Sequence, residues 1–248
     1  MRTDKKELKE TVSREMRRMF FSAPTITSYL ERASVAELMS MCSLLDDEQK
    51  LRTVARRARL IKNAGFPVLK TFDGYDFSGI QFPNMLSKEQ MLSLDFIREK
   101  KTLVFFGGCG SGKTHAMTAI GAKACGEDFR VRFFTLTSLV MMLRNAGNGG
   151  TLEHVYKTLQ SADLLCLDEF GYLPLDLGSG QMLFNVISNA YERQALIITT
   201  NLPFSEWGPM FSDDQLAAAI IDRIVHYGHL IKTGNKDWRL EHSLMIDR

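Results

Sequence analysis

The chain has 248 residues, 45% of them hydrophobic and 24% charged, with a formal net charge of +2. This is the profile of an ordinary soluble globular protein able to bury a full core, either as one large domain or as a domain with an appendage. A total charge this close to zero identifies no partner, although it can hide a local basic patch. No segment approaches the length of a membrane span, and the start, Met1-Arg2-Thr3-Asp4-Lys5-Lys6-Glu7, lacks the apolar run of a signal peptide, so a cytoplasmic protein without a membrane partner is expected. Cys42, Cys109, Cys125 and Cys166 show no paired CxxC spacing and read as reduced thiols.

Residues 1–69 read as a helical domain. Leu30, Val35, Leu38, Met39, Met41 and Cys42 recur near helical spacing, and Leu51, Val54, Ala58 and Ile61 form a second apolar stripe. Beside it lie Arg52, Arg56 and Arg59 at i, i+4 and i+7, with Lys50, Arg57 and Lys62 around them. Such density fits a phosphate-backbone footprint, in which each neutralised phosphate releases counterions, and fits a solvated helix face equally well. Ala64-Gly65-Phe66-Pro67 carries the glycine-then-proline stop signal, and a linker begins near Pro67. Thr71-Phe72-Asp73-Gly74-Tyr75-Asp76-Phe77 mixes aromatics with turn residues, suited to covering a core edge or facing a nucleotide base.

Residues 70–248 read as a second domain in which strand-like and helical runs alternate. Strands are expected at 103–106, 131–136, 164–167 and 196–200, and helices near 113–125, 137–145, 151–160 and 179–192. This is the rhythm of a mostly parallel three-layer α/β sheet. Gly147-Asn148-Gly149-Gly150 splits one connection into two short helices, and Ser212-Asp213-Asp214-Gln215 reads as a capping box opening a C-terminal helix.

The stretch Gly107, Gly108, Cys109, Gly110, Ser111, Gly112, Lys113, Thr114, His115 follows the apolar run Leu103-Val104-Phe105-Phe106 and opens a helix-forming segment. It is a phosphate-binding P-loop in its required context. Glycines let backbone N–H groups close round an anion, Lys113 can reach the β- and γ-phosphates of a nucleotide, and the Thr114 hydroxyl can ligate Mg²⁺. Downstream, Leu164-Leu165-Cys166-Leu167 ends in Asp168-Glu169, two carboxylates at the strand edge where open α/β sheets place ligands. Asp168 is expected to hold the Mg²⁺ shell and Glu169 to orient the attacking water. Asn201 ends another buried run at the same edge, where its amide can sense the γ-phosphate or simply begin the Asn201-Leu202-Pro203 turn.

Three passages resemble the IstB family of insertion-sequence transposition helper ATPases, relatives of the DnaC helicase loaders in the initiator branch of AAA+ proteins. They are Gly107 to His115; Leu164 to Leu175 with its Gly171-Tyr172-Leu173-Pro174 tail; and Tyr191-Glu192-Arg193 through Thr199-Thr200-Asn201, Trp207-Gly208 and Ala219 to Ile224. Ala64 to Pro67 matches the family's junction, and the likeness runs from about residue 45, residues 1–40 matching less distinctly. The resemblance implies an AAA+ domain with a five-stranded, mostly parallel sheet after a small helical domain. It implies Asn201 as sensor 1 and Arg223 as an arginine finger completing a neighbouring subunit's site. It further implies a homo-oligomer on double-stranded DNA, contacts through the basic helix and through Arg144 and Lys157, and a cognate transposase as partner. A helicase loader and a nucleotide-binding scaffold without turnover are the alternative readings. Two departures stand out: Gly108-Cys109 replaces the Pro-Pro of many relatives, and the chain ends about two dozen residues after Arg223, leaving no room for a full helical lid.

Overall fold

The computed structural model describes residues 4–172, 174–234 and 237–238. Leu173 of the Gly-Tyr-Leu-Pro tail and residues 239–248, where a lid would be judged, lie outside them. The chain divides into two compact units, 1–58 and 59–248.

The first unit contains α1 (Lys5–Arg18), α2 (Ala23–Arg32) and the larger part of α3 (Val35–Ala64). Asp4 caps α1 by accepting from the Lys6 N–H. Leu8, Val12 and Met16 recur every four residues, placing one face of α1 against Ile26, Leu38 and Leu45 in a small core. Apart from Leu30, which lies on α2, the two stripes expected from periodicity lie on one continuous helix, and its middle is not buried. Leu38 and Leu45 are covered, whereas Leu51 and Val54 are 67% and 66% exposed. Farther along, Leu60, Ile61 and Ala64 pack into a core of the second unit. The helix ends where glycine and proline predict it, with Gly65 at φ +78°.

The second unit opens with two short helices, α4 (Lys88–Leu92) and α5 (Asp95–Arg98), and continues β1 (Thr102–Phe106), α6 (Lys113–Gly126), β2 (Val131–Thr135), α7 (Leu136–Asn148), α8 (Leu152–Gln160), β3 (Leu164–Phe170), α9 (Leu177–Ala190) and β4 (Ala195–Thr200). After a 3₁₀ turn come α10 (Gly208–Phe211), α11 (Asp214–His226) and β5 (Gly228–Lys232). The five strands run parallel in the order β2-β3-β4-β1-β5.

Alternate residues of each strand feed opposite cores. Leu103, Phe105, Cys166 and Ile197 face α6. Val104, Leu167 and Ile198 face α7, α9 and α11. Both faces being covered, β3 and β4 read as continuous apolar runs, which makes them easy to locate from sequence. The edge strand β5, with its pattern Gly228-His229-Leu230-Ile231-Lys232, gives no such run. Around the second core, Trp207 is fully buried, its ring centroid 4.4 Å from that of Phe170.

The expected capping box is not what starts α11. Ser212 adopts φ +54° and donates its hydroxyl to the Leu175 carbonyl at 2.9 Å, while Asp213 is the cap, accepting from the Gln215 and Leu216 N–H groups. A carboxylate one residue later competes successfully for the same N–H groups because it carries the charge the helix N-terminus favours.

Candidate nucleotide site

The loop between β1 and α6 is shaped by Gly112, which sits at φ +84° as the N-cap of α6 with no side-chain cap. A Cβ at that position would meet the Tyr75 ring at 3.1 Å, so glycine is required both by backbone conformation and by close approach. The first N–H groups of α6 therefore have no capping side chain and point outward from a positive helix end, an anion cradle. Lys113 Nζ folds back to donate to the Gly107 and Gly108 carbonyls at 2.9 and 2.6 Å. Those bonds to neutral acceptors hold the ammonium at the loop, where a phosphate oxygen would be a stronger partner.

Opposite the loop, β3 brings up the carboxylates. Asp168 is 4% exposed, and its Oδ1 accepts from Thr114 Oγ1 at 3.0 Å and from Thr199 Oγ1. Glu169 is exposed and adopts φ +59°, its N–H donating to Thr199 Oγ1 at 3.1 Å. Asn201 follows β4, between β1 and β3 in the sheet, and the Gly107 N–H donates to the carbonyl of the preceding Thr200 at 3.3 Å. The Asn201 Oδ1 atom is buried without a hydrogen-bond partner among the described residues, an acceptor left open at the sheet edge.

The motifs name several further residues at this edge without giving the contacts they make. Cys109 Sγ and the Tyr172 hydroxyl lie 3.7 Å apart, joining the loop to the segment after β3. That contact, then burial, then the Glu169 and Asp168 charges push the Tyr172 phenol up to about 12. Tyr75 donates to the Gly112 carbonyl at 3.3 Å, and its ring lies 4.9 Å from that of His115, whose Nε2 donates to the Thr71 carbonyl at 2.7 Å. Burial, with Asp76 nearby, raises the Tyr75 phenol to about 12. Thus Thr71 to Phe77 covers the start of α6 while Phe72 and Phe77 pack on the core. The segment after β5 also reaches the loop: Thr233 Oγ1 and Ser111 Oγ lie 2.7 Å apart, and the Gly108 N–H donates to the Gly234 carbonyl at 3.1 Å. Neither pairing could be read from sequence, because both join residues more than a hundred positions apart.

Arg223 is held elsewhere. Its Nη1 donates to the Ala219 carbonyl of its own helix at 2.8 Å and its guanidinium lies 4.7 Å from the Phe184 ring centroid. The cations expected at DNA are all exposed, and several are paired: Arg52 with Glu48 at 2.6 Å, Arg144 with Asp176 at 3.5 Å and Lys157 with Glu153 at 2.7 Å.

Sequence comparison agrees with this geometry. The profile described as IstB-like ATP binding protein matches residues 11–245. The chain belongs to that family. It is 36% identical over 181 residues to the ATP-binding protein of insertion sequence IS5376 from Geobacillus stearothermophilus, covering 73% of this chain and 72% of that one. To the ATP-binding protein of insertion sequence IS21 from Pseudomonas aeruginosa it is 32% identical over 219 residues, covering 87% and 83%. Among solved structures DnaI superposes with a TM-score of 0.53 at 15% identity, over 68% of this chain and 89% of that one, a likeness of fold. The P-loop, the five-stranded parallel sheet and the helical region before it are those of an IstB-like ATP-binding protein.

Proposed function

We propose that this protein is an ATP-hydrolysing, DNA-binding transposition helper that assembles as a homo-oligomer on double-stranded target DNA and engages a cognate transposase. The observation that carries the hydrolysis is the pairing at the end of β3: a buried Asp168 bonded to Thr114, followed at once by an exposed Glu169. The names of the two relatives, both insertion-sequence ATP-binding proteins, support the role in transposition.

The residues fit ATP with Mg²⁺. Among the described residues no group of three or more His, Cys, Asp and Glu is gathered as a metal cage, and Mg²⁺ held mainly by phosphate oxygens needs only a hydroxyl and a carboxylate such as Thr114 and Asp168. When bound, Mg²⁺ would neutralise charge on the phosphates. The α6 N-terminus and Lys113 bind and orient the phosphate chain. Asp168 accepts a hydrogen bond from the Thr114 hydroxyl, which would leave a hydroxyl lone pair for the ion. Glu169 accepts a proton from the attacking water, and Asn201, with its open Oδ1, reports on that position. Arg223 acts across a subunit boundary, released from Ala219 and Phe184 when a neighbour's phosphates offer a charged partner.

The test is ATP turnover against protein concentration, with and without duplex DNA, beside Arg223→Ala. A rate per subunit that climbs with concentration and DNA, and falls by about a thousandfold in Arg223→Ala while ATP still binds, is expected. A flat rate indifferent to DNA and to Arg223 would remove both the assembly and the finger.

A further inference from the structure

We infer that Thr199 is the positioning residue that fixes both acidic groups of the site, holding the Asp168 carboxylate with its hydroxyl proton and the Glu169 backbone with its lone pair. The inference rests on the hydrolysis reading above, and it begins in the strand register. Leu167 pairs with Ile198 and Phe170 with Thr200, so Asp168 and Glu169 together stand opposite the single residue Thr199. This is a β-bulge, and a bulge leaves ladder groups without their usual partner. Thr199 supplies the missing one through its side chain: its Oγ1 accepts from the Glu169 N–H at 3.1 Å and donates to Asp168 Oδ1.

Two consequences follow. Glu169 is held at φ +59°, a conformation that a residue bearing a Cβ adopts only when its surroundings impose it. The turn in the backbone is what aims an exposed carboxylate from a strand whose other residues are buried. For Asp168, the Thr114 and Thr199 hydroxyls both use Oδ1, so the rotation of the carboxylate is set from two sides while neither hydroxyl engages its second oxygen. Thr199 itself is 2% exposed, on a strand in the middle of the sheet. A hydroxyl is the smallest side-chain group that can donate to one neighbour and accept from the other at once. Valine has nearly the same shape and can do neither.

The test pairs Thr199→Val with Thr199→Ser, and adds Thr199→Ala, which removes the hydroxyl without introducing new bulk. Amide hydrogen exchange at Glu169, followed by NMR on the nucleotide-free protein, should accelerate about tenfold in the Val and Ala variants and stay at the native rate in Ser. With Mg²⁺-ATP, kcat should fall about 10- to 100-fold in Val and Ala, with KM within about twofold, and Ser should restore most of it. Native exchange at Glu169 in both Val and Ala, or a Ser variant as slow as Val, would overturn the assignment. Glu169→Gln is measured alongside. If that variant turned over ATP normally the hydrolysis reading would fall, yet the exchange rates would still decide whether Thr199 holds this backbone.

Discussion

The P-loop and the basic stretch of α3 are both suited to anions, but they are suited in different ways. In the loop, binding capacity resides in local backbone geometry, Gly112 at φ +84° and an uncapped α6 terminus, with Lys113 folded onto two carbonyls of the same loop. On α3 it resides in long side chains that already have neighbours. Arg52 pairs with Glu48 at 2.6 Å, and Lys50 pairs with Asp46 and Asp47 at 2.6 and 3.4 Å. A motif whose chemistry demands particular backbone conformations survives the step from sequence to structure. A count of cations does not, because its meaning depends on carboxylates one helical turn away.

The sharpest way to break the contrast is to remove the fixed groups. Glu169→Gln keeps size and exposure but cannot take a proton, so turnover should fall about a thousandfold while ATP affinity changes little. Lys113→Ala should reduce binding and turnover together, since the ammonium meets the phosphate chain before and during reaction. Single-turnover hydrolysis beside equilibrium binding of a fluorescent ATP analogue separates the two patterns. Identical behaviour of both variants would mean that the roles given to the loop and to β3 are not distinct.

Gly112→Ala probes the backbone itself. It places a Cβ at φ +84° and 3.1 Å from the Tyr75 ring, so a loss of about 1–2 kcal/mol in stability is expected, with weaker nucleotide binding as the α6 terminus shifts. Thermal unfolding and ATP titration measure these. Native stability with native affinity would show that the terminus is less constrained than the geometry indicates.

How much was legible in advance follows the same division. The strands β1, β3 and β4 were readable because burial on both faces leaves continuous apolar runs, and the edge strand β5 was not, since Ile231 alone of its five residues is buried. The P-loop and Asp168-Glu169 were visible as local patterns. Thr199 was not, because its role arises from a bulge, and a bulge is a property of two strands. Tyr75 and Tyr172 stand in segments that the sequence singled out, but their bonds to the loop, like that of Thr233, were not readable because each joins the loop to a distant segment. On α3, periodicity placed Leu51 and Val54 on an apolar stripe but could not show that none of the three cores includes them.

The smallest effects belong to the basic helix, and they decide whether it is a DNA footprint at all. The Arg52–Glu48 pair is half-exposed, so it contributes at most about 1 kcal/mol and a phosphate can compete for the guanidinium. Glu48→Gln should therefore tighten duplex binding slightly by freeing Arg52 from a rival anion. Arg52→Ala should weaken binding without regard to sequence and lower the slope of log K against log salt by about 1, the signature of one lost phosphate contact. Both are read from fluorescence anisotropy of a labelled duplex across a salt series. If the slope is the same in wild type and both variants, α3 carries a solvated face and the phosphate contacts must lie on other parts of the chain, with Arg144 and Lys157 the next to change.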